Sequence, residues 1–258
     1  MIQTVVVDTR KFLEGALTPI QEEQEMELEC LRAEEARLEV IHQAEKTGGW
    51  TSVRQAMMLM GSHCVGLKQI IDRFGLSLLP HEVRGLEIVN YPEDMLWSLR
   101  NSHLLIAGAP VTMLEIRQAA CKRQKDQKLG DFSYDDQFFA IREMQARWYL
   151  VSREITRNSL YRTMRDHDER IFNNPMHERL GAPELAYVAS VSRLIVGEPM
   201  LQNVAAFTSD SVSDECGRKC PVFVGFSGEF GVAVGTCAGD RPMANIGAIV
   251  SVRPCAKK

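Results

Sequence analysis

Val222-Phe223-Val224-Gly225-Phe226-Ser227-Gly228-Glu229-Phe230-Gly231-Val232-Ala233-Val234 is the stretch whose reading decides the fold. Val222, Val224 and Phe226 alternate with Phe223 and Gly225, and Phe230, Val232 and Val234 alternate again beyond Ser227-Gly228-Glu229. A period of two is the signature of a half-buried strand, because successive strand side chains point to opposite faces. Two such runs joined by a Gly-containing turn predict a β-hairpin. The apolar run from Ile246 to Val252 is expected to close this into a small antiparallel sheet.

Working outward, the pattern changes to a period near 3.6. Pro183 to Val196 places Leu185, Val188, Ala189, Val191, Leu194 and Ile195 at helical spacing before Gly197 and Pro199 stop it, which predicts a buried helix. Further upstream, Ile20 to Lys46 contains no Gly or Pro and reads as one long helix. Its thin stripe of Ile20, Leu28, Leu31, Leu38 and Ile41 suits packing along one seam, through which a homo-oligomer could form. Val5 to Val7 before it read as a short buried strand.

After Gly48-Gly49 a helix is expected from Val53 to Ile71, interrupted at Gly61, and another opens at Pro92-Glu93-Asp94 and runs to Leu99. His103 to Ala107, closed by Gly108 and Pro110, reads as a buried strand or core turn, and Thr112 caps a helix carrying Leu114 and Ile116. Phe138 to Trp148 continues as a helix that runs into a strand at Trp148-Tyr149-Leu150-Val151. The fold class expected is therefore α+β: a mainly helical N-terminal two-thirds, then a small antiparallel β-rich C-terminal module. The boundaries expected are a helical region over 1–99 and an α+β recognition domain over 100–258, with its β-rich end at 203–254.

At 258 residues the chain can bury a full core without disulfides. Its 45% apolar and 25% charged content is that of a soluble globular protein, and no run is long enough to span a membrane. Without a signal h-region, the expected location is the cytoplasm, where seven cysteines are most simply free thiols. A net charge of −4 excludes a uniformly basic binder.

Four of the seven cysteines, Cys216, Cys220, Cys237 and Cys255, fall near the C-terminus and are the best metal candidates. A zinc ribbon has two short Cys-x2-Cys knuckles, whereas here three residues separate the first pair and 17 the second, so no metal is assigned. Gly225-Phe226-Ser227-Gly228-Glu229 lacks the closing glycine of a nucleophile elbow, and no Walker or dinucleotide loop is present. Asp135-Asp136 lies in a turn-like segment, and the six histidines are scattered. Neither enzymatic activity nor a cofactor is expected.

His103 to Pro110 with Leu114-Glu115-Ile116-Arg117, Arg147 to Arg153, Phe207-Thr208-Ser209-Asp210, Val222 to Phe226, Asp240-Arg241 and Ile246-Gly247-Ala248 with Arg253 resemble, in this order, a family of uncharacterised bacterial proteins. Their C-terminal tract is similar to the variable regions of retroelement-diversified proteins, which display side chains on a C-type-lectin-like fold. The resemblance implies that fold for the β-rich end, and a display role. The corresponding tract here, Val232 to Gly239, is small and apolar. A second resemblance, Trp148-Tyr149-Leu150 followed by arginines, is to the signature of WYL ligand- or nucleic-acid-sensing domains.

The expected function is non-enzymatic recognition of a protein or small ligand by the C-terminal Gly-rich loops, with Ser227, Glu229, Thr236, Asp240, Arg241 and Asn245 as contact residues. The alternative is a nucleic-acid-associated regulator using the basic segments 122–128 and 153–170, with Lys122, Arg123, Lys125, Arg153 and Arg157 as contacts. Between Arg117 and Arg179, 13 basic residues against 10 acidic ones leave an excess of only 3, a weak footprint for nucleic acid.

Overall fold

A computed structural model describes residues 50–123, 137–156, 158–227, 231–238 and 240–254. These fall within a single unit, Gly48–Lys258. The long helix expected over 20–46 and the strand over 5–7 lie outside the described residues.

Two larger sheets organise the unit, beside a two-stranded antiparallel pairing of β1 (Thr51–Ser52) with β3 (Ile88–Val89). The first runs β2 (Cys64–Val65), β4 (His103–Ala107), β5 (Trp148–Ser152), β11 (Ser251–Val252), β6 (His177–Glu178). β2 lies parallel to β4 and the other pairings are antiparallel. Leu104, Leu105, Ile106 and Ala107 are all fully buried, and Trp148 through Val151 are at most 2% exposed. Strands covered on both faces need apolar residues at every position, so β4 and β5 read as continuous runs. The polar tips of the surrounding aromatics are all satisfied: Tyr91 Oη donates to the carbonyl of Val252 at 2.8 Å, Trp148 Nε1 to Leu86 at 3.1 Å, and Tyr187 Oη to Ala107 at 2.7 Å.

The second sheet has the order β10 (Ile246–Gly247), β7 (Ala205–Ser213), β8 (Lys219–Ser227), β9 (Gly231–Thr236). The hairpin expected from the alternating stretch is β8 with β9, in the register Val222↔Thr236 through Ser227↔Gly231. Its even-numbered positions, Val222, Val224, Val232 and Val234, are buried in the main core. They pack with the helix Ala182–Val191, all ten of whose residues are buried. This helix starts at the proline-containing turn after Gly181, where Asp210 Oδ2 accepts from the Ala182 N–H at 2.6 Å. Glu184 in its first turn holds Arg142 through two bonds of 2.9 and 3.0 Å. The helix passes through a wider turn, Ser192–Val196, and stops at Gly197, whose φ of 84° belongs to the left-handed region that glycine adopts freely.

The remaining helices are short: α1 (Val53–Met60), α2 (Leu67–Phe74), α3 (Glu93–Leu99), α4 (Met113–Arg123), α5 (Phe138–Ile141) and α6 (Met164–His167), with α7 being Ala182–Val191. Thr112 caps α4 as expected, its Oγ1 accepting from the Glu115 N–H at 3.2 Å.

These facts correct the expected fold class. No described stretch of α-helix exceeds 11 residues, so a mainly helical N-terminal two-thirds is replaced by a mixed α/β architecture. The single helix expected from Val53 to Ile71 breaks at Gly61, whose φ of 57° ends α1, and β2 intervenes before α2. The helix expected over 138–148 ends at Ile141, since Arg142 is extended with ψ at 128°. Nor does the C-terminus form a self-contained β module of lectin type. The run from Ile246 to Val252 splits, with β10 lying parallel beside β7 while β11 crosses into the other sheet between β5 and β6.

Candidate functional site

The register of the second sheet gives it two unlike faces. Opposite the valine face stand Ala205 and Phe207 of β7, Phe223 and Gly225 of β8, and Ala233 and Gly235 of β9. Gly235 lies under the Phe223 ring, where an added Cβ would come 2.5 Å from Cζ. This outer face carries a small cluster of its own: Ala205, Phe207 and Ile246, with Met164, Phe223, Cys237 and Met243 packed against them.

Residues 237–238 and 240–245 form the element that makes this face a candidate. They leave β9 at one edge of the sheet and reach β10 at the other, two strands away from β9's neighbour on the far side of β7. With strands about 4.8 Å apart, the crossing covers about 14 Å. Cys237 and Met243 pack against the cluster of Ala205, Phe207 and Ile246, so the crossing passes over the outer face. Asp240, Arg241 and Asn245 are exposed on it. The loop is tied down by its backbone: the Asn245 carbonyl accepts from the Ala205 N–H at 2.8 Å, and the Met243 carbonyl from the Tyr161 N–H at 3.1 Å. Asp240 and Arg241 make no ion pair among the described residues, although the Asp240 carboxylate adds to the field that favours the charged form of Arg218.

A strap made of residues 155–156 and 158–163 braces the far end of this loop. Thr156 N–H donates to the Ala248 carbonyl at 2.8 Å, and Ala248 N–H donates to Ser159 Oγ at 3.0 Å. Gly247 runs so close to the strap that a Cβ there would lie 2.6 Å from Ile155 Cγ2 and 2.7 Å from Ser159 Oγ. Asn158 and Tyr161 hold φ values of 63° and 59°, a region that non-glycine residues rarely enter unless their surroundings impose it. None of Met164, Met243 or the strap residues stands out in the sequence, because their spacing follows neither strand nor helix periodicity.

The residues expected from sequence do not form one site. Asp240, Arg241 and Asn245 share the crossing loop. Thr236 pairs with Val222 and so belongs to the valine face. Ser227 pairs with Gly231 at the other end of β9, five residues from Thr236, or about 17 Å along the strand. Glu229 lies outside the described residues.

The thiols disperse as well. Cys216 is exposed in the turn between β7 and β8, where Asp214 Oδ1 accepts from the Cys216 and Arg218 N–H groups at 2.9 and 2.8 Å. Cys237 lies on the outer face with Phe223, whereas the β8 register puts Cys220 on the face of Val222. Burial pushes the Cys237 thiol up, and the neighbouring Cys220 adds to the shift, so near neutral pH it holds its proton and is a poor nucleophile. No cluster of three or more His, Cys, Asp or Glu suited to a metal occurs among the described residues, and Cys255 lies outside them.

Two arginines of the basic segments are engaged by carboxylates. Arg153 is half-buried, donating through Nη1 to the Asn101 carbonyl at 3.0 Å and through Nη2 to Glu198. It lines a polar cleft of about 170 Å³ with Glu154, Ser192, Glu198, Pro199 and Met200. Arg165 is paired with Glu169 at 2.8 Å. Lys122 and Arg123 end α4, while Lys125 and Arg157 lie outside the described residues. The tripeptide Trp148-Tyr149-Leu150 is the buried middle of the first sheet rather than a surface motif. No described helix is long and apolar enough to cross a membrane.

Comparison with protein-family models, with curated proteins and with solved structures finds no match.

Proposed function

We propose that this chain is a recognition protein that presents the crossing loop, residues 237–245, to a protein or small ligand without chemistry on that ligand. One observation carries the reading: the loop spans the outer face of the second sheet with Cys237 and Met243 packed onto that face and Asp240, Arg241 and Asn245 exposed. Charged side chains held on a loop that is itself fixed at both ends lose little freedom on binding, which is the arrangement a recognition surface needs. A cytoplasmic location and a homo-oligomer formed through residues 20–46 belong to the proposal as well.

Removing residues 207–258 is a poor test, because β11 belongs to the first sheet and its loss would open the main core. The cleaner experiment is the double variant Asp240→Ala, Arg241→Ala, immobilised beside the parent chain and exposed to lysate and to small-molecule pools. Loss of a bound species at unchanged thermal stability is the expected result. Retention of the same species by both forms would remove the loop from recognition.

A further inference from the structure

His167 closes α6 directly behind the strap. It is 1% exposed, and its Nε2 donates to the Ser159 carbonyl at 2.7 Å. Its other nitrogen, Nδ1, is enclosed and has no hydrogen-bond partner among the described residues. The ring meets Phe207 of the outer-face cluster edge-on, with centroids 5.6 Å apart. The single contact to Ser159 therefore sits at the head of a chain: Ser159 Oγ receives Ala248 N–H, and two residues beyond Ser159 the Tyr161 N–H holds the Met243 carbonyl of the crossing loop.

The charges around the imidazole oppose one another, Arg179 disfavouring a proton and Asp166 and Asp168 favouring it. From the element after β6, Arg179 faces it, itself 9% exposed and engaged through Nη1 with Asp168 at 2.8 Å. On the ring's own element, the Asp166 carboxylate is occupied by the Thr163 N–H and hydroxyl at 2.9 and 2.8 Å, and the Asp168 carboxylate by Arg179. β7 contributes only Phe207, and the strap only the Ser159 carbonyl, which already receives Nε2–H. A protonated ring would have a second N–H with no acceptor and a cation opposite. Burial, with Arg179 adding to it, outweighs the Ser159 carbonyl and the Asp168 and Asp166 carboxylates, which favour the proton, and holds this histidine below the usual imidazole range.

We propose that His167 is a proton-operated latch: the neutral ring fastens the strap over β10 and the crossing loop, and protonation is accommodated by releasing the strap. Asn158 and Tyr161, held at positive φ while the strap is closed, relax on release, which favours the open form once the latch lets go. The consequence for ligand binding rests on the recognition reading above; the latch itself does not, and its test uses no ligand.

The experiment is amide hydrogen exchange with imidazole titration by NMR on the full-length ¹⁵N-labelled chain between pH 7.5 and 5.5. If the open form titrates with an ordinary histidine pKa of about 6.5 and the closed form stays neutral, the opening constant rises about tenfold over this step. The Ala248 and Tyr161 amides should lose that factor in protection beyond the intrinsic pH effect. In His167→Gln, whose amide can still donate to the Ser159 carbonyl but does not titrate, the loss should vanish. An equal loss in H167Q overturns the latch. Should H167Q not fold, the parent chain decides: an imidazole that charges near pH 6.5 while both amides stay protected overturns the proposal, and one that stays neutral as protection falls sustains it.

Discussion

The two sheets use apolar residues in opposite ways. In the first, β4 and β5 are buried at nearly every position, and the side chains serve only the core. In the second, alternate positions are divided between a valine face that joins the main core and an outer face of Ala, Gly and Phe that supports the crossing loop. A sheet covered on both sides by its own core can stabilise but has no surface to present. A sheet with one face left to a loop can do both, and the alternation in β8 and β9 is the sequence record of that division.

The contrast can be broken most forcefully from the first sheet. Leu150→Ala empties a fully buried position in β5 and is expected to cost about 2–5 kcal/mol in urea unfolding. A cost under about 1 kcal/mol would mean that the first sheet is not the stabilising one.

On the outer face, Gly235→Ala forces a methyl to within 2.5 Å of the Phe223 ring, which must shift. The expected loss is about 1–3 kcal/mol, with a change in Phe223 ring NMR shifts. A neutral effect would show that the ring is free rather than seated on the glycine.

The first sheet should also carry a pH signature. Burial, aided by the nearby His177, pulls His103 at the start of β4 down to about 4. Because the folded value lies below the unfolded one of about 6.5, unfolding takes up a proton in this window, and stability falls as pH drops from 6.5 towards 4. The slope contributed approaches about 1 kcal/mol per pH unit at most, since the ring is partly exposed. His103→Gln should flatten denaturation midpoints over that range, and an unchanged slope would refute the assignment.

The smallest effect is expected at Ala233→Ser, half-buried on the outer face of the edge strand β9. A shift within about 0.5 kcal/mol is expected by the same urea assay. Together with Leu150→Ala it measures how differently the two sheets treat their side chains.

Much of the local structure was legible. The alternation around Ser227 to Glu229 placed the β8–β9 hairpin, the 3.6-residue period placed α7, Thr112 marked the start of α4, and the unbroken apolar runs marked β4 and β5. Helix lengths were overestimated where no Pro or Gly gave warning: nothing in the composition of 138–148 marks the stop at Arg142, which leaves the helix to pair with Glu184 of α7. β7 escaped notice because its second half, Ser209 to Ser213, is rich in serine, even though Phe207 and Ala206 sit at the centre of the second sheet. The candidate site was half legible. Asp240, Arg241 and Asn245 do share a loop, but Ser227 and Thr236 belong to opposite ends of one strand, a separation that a list of turn residues does not reveal.

By itself the sequence determined what neighbouring residues decide between them: which segments are strands or helices, where glycine and proline end them, and which strands are buried on one face or two. Only the tertiary structure decided that Ile246 to Val252 divides between two sheets, that the loop between β9 and β10 crosses a face, and that the strap with His167 stands behind it. These are pairings between residues as many as 161 positions apart, as with the Tyr91 hydroxyl and the Val252 carbonyl. Such partners are chosen by the burial and hydrogen bonding of the whole unit, and no local period records them.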